Sequence, residues 1–181
     1  MSVRLFHVSE IGGIARFEPR TVPSFDAGVT GDAVWAIDEA HLPNYLLPRD
    51  CPRVTYAVGS HTTQDDVARW FADTEARRII IIEQAWFART ADAVLHVYEL
   101  PVRAFELADG SAGYFVSREA VVPVAVREIR DPLAEIAARG CEVRCVPDLW
   151  PIRDGVVAST LDYSIIRMRN AARAKRGEAA A

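Results

Sequence analysis

The chain of 181 residues lacks the common catalytic and nucleotide-binding signatures. It contains no Walker loop, no G-x-G-x-x-G, no H-E-x-x-H, no G-x-S-x-G and no C-x-x-C. Their absence leaves the P-loop, classical dinucleotide-fold, zinc-protease, serine-hydrolase and thioredoxin-type readings without support. Cysteine is scarce and odd in number. Cys51, Cys141 and Cys145 offer no second ligand pair beside the close couple CEVRC, so neither a zinc site nor a disulfide framework is expected, and three reduced thiols suit a cytoplasmic protein. No apolar run is long enough to span a bilayer; Ile79 to Ile82 has the length of a buried strand. The opening MSVRLFHVSE has no apolar segment behind a basic one, which predicts no secretory signal and no membrane partner. Charge of one sign is missing too. A net charge of −4 does not fit a protein coated to neutralise phosphates. Lysine is nearly absent: every basic residue but Lys175 is arginine, so anions are met by planar, bidentate donors.

What remains is ordinary globular composition, half hydrophobic and a quarter charged. It reads as one domain over residues 1–176 with a disordered tail at 177–181. Alternation predicts strands at residues 2–8, 34–37, 53–58, 94–100, 114–117 and 121–129, and the β-branched run Arg78 to Ile82 predicts a central strand. Residues 20–32, rich in Pro, Gly, Asp and Ser, predict a loop. Asp38 is a good N-cap for a brief helix to about Tyr45, and Thr62 or Thr63 for a helix to Phe71. Pro132 and Gly140 bracket a third helix. A long C-terminal helix is expected from about Ile152 to Arg173. Strands outnumber helices and do not alternate with them regularly. The expected fold is therefore α+β, with mixed or antiparallel sheets and peripheral helices.

Four segments carry groups that can do chemistry. His7 and Ser9, two apart on an extended strand, face the same side and can hold a ribose or an amide. The segment 34–53 combines Trp35 and Tyr45 as aromatic surfaces with Arg49 as an anion fork, and adds Asp38, His41 and Asp50. In 113–119, Tyr114 and Ser117 lie on a strand, and Ser117 with Glu119 can form a hydroxyl–carboxylate pair. The stretch 159–176 places Arg167, Arg169, Arg173, Lys175 and Arg176 on the expected terminal helix, which can bind nucleic acid or phosphate. Each segment also has a purely structural explanation, as core aromatics, a strand-end histidine, a solvated edge or a solvated helix end.

The segments LFHVSE, GIARFEPR, VWAIDEAHLPNYLLPRDCPRVTY, VYELP, GYFVSRE and STLDYSIIRMRNA, running from Leu5 to about Ala171, resemble the bacterial DUF6886 family, which brings no activity with it. More distantly, their order is similar to compact ADP-ribosyltransferase-like domains. That resemblance implies an NAD-type cofactor and a small-molecule nucleotide partner. It implies that His7 and Ser9 hold ribose, that Trp35 and Tyr45 pack a base or nicotinamide, that Arg49 holds phosphate, and that Tyr114 and Ser117 line the same cleft. The catalytic carboxylate of such domains would fall near Gly113 or Tyr114, neither of which is acidic. Glu119 is the nearest acidic candidate, with His7, for catalysis. No metal is implied. The alternatives are a non-catalytic binding or regulatory module and a nucleic-acid binder acting through the terminal arginines. Oligomeric state is left open.

Overall fold

The computed structural model describes residues 3–21 and 29–172. The chain divides into two compact units, Met1–Arg49 with Asp92–Glu135 and Asp50–Ala91 with Ile136–Ala181. Among the described residues the fold is mixed α+β, with an antiparallel sheet, a mixed sheet and four α-helices.

Among the described residues the first unit holds seven strands. Six run in the order β7 (Glu106–Asp109), β8 (Tyr114–Ser117), β3 (Asp32–Asp38), β1 (Leu5–Ser9), β6 (Leu95–Leu100) and β9 (Ala125–Ile129), and β2 (Arg20–Thr21) pairs with β3 outside this path. All these pairings are antiparallel. The alternation of LFHVS, DAVWAID and LHVYEL gives both sheet faces apolar residues to bury. On one face Leu5, Val34, Ala36, Tyr98 and Leu100 pack with Phe17 and Val121. On the other, Ala33 and Val116 pack with Val29 and the Trp35 ring.

The second unit holds a four-stranded sheet in the order β10 (Cys141–Val146), β5 (Arg78–Glu83), β4 (Arg53–Ala57) and β11 (Asp162–Ile166). Only β10 and β5 are parallel. The run Ile79 to Ile82 is buried because β5 is an interior strand covered on both faces. Each isoleucine so placed contributes about 1.5–3 kcal/mol of transfer free energy. Helix α1 (Gln64–Trp70) starts where Thr63 Oγ1 accepts from the Asp66 amide at 3.3 Å, which fixes the cap on the second of the two expected threonines. Val67 and Trp70 of α1 and Ile152 of α4 (Trp150–Val157) cover Val54, Tyr56, Ile79 and Ile81. The remaining helices are short, α2 (Phe87–Ala91) and α3 (Pro132–Ala138).

The long C-terminal helix is not formed. The segment is α4, a turn at Ser159 to Leu161, and strand β11. Ser159 Oγ donates to the Val156 carbonyl at 2.7 Å and accepts the Leu161 amide at 3.2 Å, which offers the backbone a partner outside the helix. Ile165 and Ile166 then follow their β preference along β4. Apolar spacing alone did not separate these possibilities. Arg167 and Arg169 fall in a 3-10 turn around Met168–Asn170, not on a basic helix face. Arg173, Lys175, Arg176 and the expected tail at 177–181 lie outside the described residues, as do positions 22–28 of the expected 20–32 loop.

Among the described residues no helix is long and apolar enough to cross a membrane.

Candidate functional site

His7, Ser9, Trp35, Tyr45, Arg49, Tyr114, Ser117 and Glu119 all belong to the first unit, whereas Asp50 and the arginines from Arg167 onward belong to the second. The central feature is the junction of β1 and β3. Strand β1 pairs with β6 along all five of its residues, from Leu5↔Leu100 to Ser9↔His96. Its ladder with β3 ends after Leu5↔Asp38 and Phe6↔Ile37. Where the next rungs would stand, the His7 side chain takes over: Nδ1 is 2.9 Å from the Trp35 carbonyl oxygen. A carbonyl can only accept, so Nδ1 carries the proton and Nε2 is left as an acceptor. The imidazole also packs against the Phe17 ring, with centroids 4.7 Å apart. Burial pushes its pKa below the ordinary histidine range. The charges of Arg49 and Arg20 push the same way, and the bond to Trp35 opposes them. The ring is therefore neutral at pH 7, with two guanidinium groups in its neighbourhood.

Strand alternation assigns the other residues to faces. His7 and Ser9 share a face with their partners Tyr98 and His96. Ser117, paired with Val34, belongs to that face as well. Trp35 and Tyr114 lie on the opposite face, with Ile37 and Phe6. There the rings of Trp35 and Tyr114 meet edge to face at 5.6 Å, and the Tyr45 hydroxyl donates to the Tyr114 hydroxyl at 2.6 Å. The sequence reading offers Trp35 and Tyr45 as an aromatic surface, and the resemblance adds His7 as a ribose holder beside them. The structure instead joins His7 to the Trp35 backbone and gathers the Trp35, Tyr45 and Tyr114 rings behind it. The Trp35 indole N–H is buried with no acceptor among the described residues.

Ser9 Oγ accepts the Ile11 amide at 3.0 Å and so turns the chain out of β1. The turn is held down by Tyr98, whose hydroxyl donates to the Ile11 carbonyl at 2.9 Å and accepts from the Ile14 amide at 3.1 Å. Gly12 fits because a Cβ there would come within 2.6 Å of the His96 ring. Glu10 accepts the Arg49 amide at 2.9 Å, which sets the start of Arg49 beside the end of β1. Ser117 and Glu119 do come together, but through the backbone: Ser117 Oγ accepts the Glu119 amide at 3.2 Å and donates to the Glu119 carbonyl at 3.1 Å. Glu119 itself is an exposed residue beyond the end of β8.

One group of contacts was not foreseen. Asp38, the last residue of β3, is followed by the 3-10 turn Leu42–Tyr45. Its Oδ1 accepts the His41 amide at 2.9 Å and lies 2.8 Å from His41 Nδ1. The sequence predicts that Asp38 caps a helix to about Tyr45; the N-cap of the observed 3-10 turn is His41, without a side-chain cap bond, and the Asp38 bond to the His41 amide closes the turn that precedes it. Asp38 and His41 press on Gly113, which has φ +67° and donates no side chain; a Cβ there would overlap both side chains. The D-x-x-H spacing after a strand was the available signal, and the capping reading absorbed it.

Neither a curated protein nor a solved structure matches the chain. A family model described as a family of unknown function, DUF6886, matches residues 6–171. By that match over nearly its whole length, the chain belongs to the DUF6886 family.

Proposed function

We propose that this protein binds a nucleotide of the NAD type where β1 and β3 part. The observation that supports this most is the His7 ring, with Nδ1 committed to the Trp35 carbonyl, Nε2 left as an acceptor, and the charges of Arg49 and Arg20 felt at the ring. A ribose hydroxyl donates to such a nitrogen, and the phosphates of the same ligand are met by the two guanidinium groups. Ser9 stands on the His7 face for the same ligand, and the Trp35, Tyr45 and Tyr114 rings back the parting strands from the other face. The arrangement is in keeping with an ADP-ribosyltransferase-like ancestry. The free thiols of Cys51, Cys141 and Cys145 suit a reducing compartment, and we place the protein in the cytoplasm.

A non-catalytic binding module is the second reading, favoured by Glu119. Its exposed position beyond β8 offers little of the preorganised surroundings in which a carboxylate stabilises a developing cation. The nucleic-acid reading rested on a basic terminal helix; Arg167 and Arg169 fall in the 3-10 turn around Met168–Asn170, and Arg173, Lys175 and Arg176 lie outside the described residues.

The test is thermal denaturation with NAD and ADP-ribose. A ligand at about a hundred times its dissociation constant stabilises the fold by roughly 2.7 kcal/mol, a melting shift of several degrees. We expect that shift in the wild type and its loss in His7→Ala. A wild type that ignores both nucleotides overturns the proposal.

A further inference from the structure

Beyond the end of β11 the chain turns at Arg167, the one non-glycine residue with positive φ among the described residues, at φ 58° and ψ 28°. A residue with a Cβ keeps that conformation only where surrounding contacts hold it. Those contacts follow at once. The Asn170 amide donates to the Arg167 carbonyl at 2.8 Å, and the Ala171 amide to the Met168 carbonyl at 3.0 Å. Met168 and Ala171 rest against the cluster of Val54, Tyr56, Ile79 and Ile81. The Asn170 side-chain amide donates to the Asp50 carbonyl at 2.7 Å. Ala171 then runs extended, at φ −66° and ψ 154°.

The next residue is gripped at both of its backbone groups. The Ala172 amide donates to the two carboxylate oxygens of Glu83, at 3.0 and 3.1 Å. The Ala172 carbonyl accepts from the Trp150 indole N–H at 2.7 Å. Glu83 ends the buried strand β5 and is itself 4% exposed. The Ala172 amide is the only hydrogen-bond donor its carboxylate has among the described residues. Trp150 opens α4, and Asp148 Oδ1 fixes that start by accepting the Trp150 amide at 2.9 Å. All these residues belong to the second unit. A buried carboxylate without a donor is costly, so the end of β5 demands an N–H in front of it. The indole supplies the matching donor for a C=O. Neither group touches a side chain of the residue it holds, which is main-chain recognition of an extended segment. Ala172 is nonetheless exposed, so its place is held by two backbone contacts and not by burial.

We propose that Glu83 and Trp150 form a main-chain clamp for an extended peptide, and that residues 168–172 are a strap that fills it in cis and opens as a unit about Arg167. In the closed state the strap satisfies the Glu83 carboxylate and the indole. In the open state both groups face outward without partners. They then take an extended segment with small residues, since Ala171 and Ala172 are what the clamp holds when closed. The strap is thus an autoinhibitory contact on a peptide site. It does not depend on nucleotide binding in the first unit.

The experiment is native-state hydrogen exchange on the full chain, joined to binding of a blocked peptide with the sequence of Arg167–Ala172, RMRNAA. In the wild type the Ala172 amide should be protected, yet open more readily than the amides of Ile79 to Ile82. Trp150→Phe should lower that protection about fivefold and leave β5 as it was. Ala172→Pro removes the N–H that Glu83 requires, and Ala171 already has the extended backbone a residue before proline needs. The free peptide should therefore bind Ala172→Pro at least about tenfold more tightly than the wild type, whose clamp is filled. Protection of β5 in each variant shows that the sheet has formed. An Ala172 amide that exchanges as fast as in a free peptide overturns the clamp. Exchange of Ala172 in step with β5 overturns the separate opening. A peptide that binds neither chain, or both equally, overturns the peptide site.

Discussion

His7 is kept neutral mainly because its ring is buried, and this ties stability to pH. The folded protein resists protonating the ring, whereas the unfolded chain accepts a proton near pH 6.5. Below that pH the unfolded state binds more protons, so the contribution of His7 is present above about pH 6.5 and is lost as pH falls. His7→Gln should therefore melt closer to wild type at pH 5.5 than at pH 7.5; a gap that stays constant across this range would refute the assignment. Cys51 illustrates the same physics in a thiol. Burial pushes it up to about 11, which makes it a poor nucleophile near neutral pH. At this scale the sequence was informative about which residues carry chemistry and poor about their company. His7 with Ser9, and Tyr45 with Tyr114, could be singled out by residue type and spacing. The bond from His7 to the Trp35 carbonyl could not, because it depends on where a ladder between distant strands stops. The Asp38–His41 contact was within reach of local spacing, yet a caps-first reading saw only the amide bond.

Single elements were legible where the local pattern is unambiguous. LFHVS, RIIIIE and LHVYEL are strands for reasons visible in their alternation or their β-branched runs. Helix α1 begins at its threonine, and α3 begins at Pro132 and is followed by Gly140 at φ +69°. The errors fall where competing interactions decide. Residues 158–166 hold enough apolar spacing for a helix, but Ser159 diverts the backbone and β4 supplies an edge for Ile165 and Ile166 to join. Thr63 gives a measurable check on the elements that were read correctly. It caps α1 through the Asp66 amide, and Thr160 Oγ1 donates to Asp66 Oδ2 at 2.6 Å, so cap and turn are linked. Thr63→Ala should cost about 1 kcal/mol, seen as a lower denaturant midpoint at unchanged slope. A midpoint equal to wild type would mean that Thr160 holds α1 alone.

At the scale of the whole molecule, neither unit is a continuous stretch of chain. The second is entered at Asp50, left after Ala91 and re-entered at Ile136. Composition and length gave no hint of this, because a discontinuous unit leaves no linker to read. Ending the chain after Glu135 would remove β10 and β11, the two outer strands of the four-stranded sheet. It would leave β4 and β5 as a two-stranded remnant that keeps α1 on Ile79 and Ile81 but loses α4 and both outer strands. We expect such a truncation to be insoluble or to lack a cooperative transition, since a two-stranded sheet is marginal in water. A soluble, cooperatively melting product would show that the first unit folds without the second.

The division of the chain has an optical consequence. Of the four tryptophans, Trp70, Trp86 and Trp150 belong to the second unit and only Trp35 to the first. Trp35 stands edge-on to Tyr114, and its indole N–H has no acceptor among the described residues. With the other three replaced by phenylalanine, the emission of the protein would come from the one indole at the parting of β1 and β3. Its colour and lifetime would then follow events at that place without any attached dye.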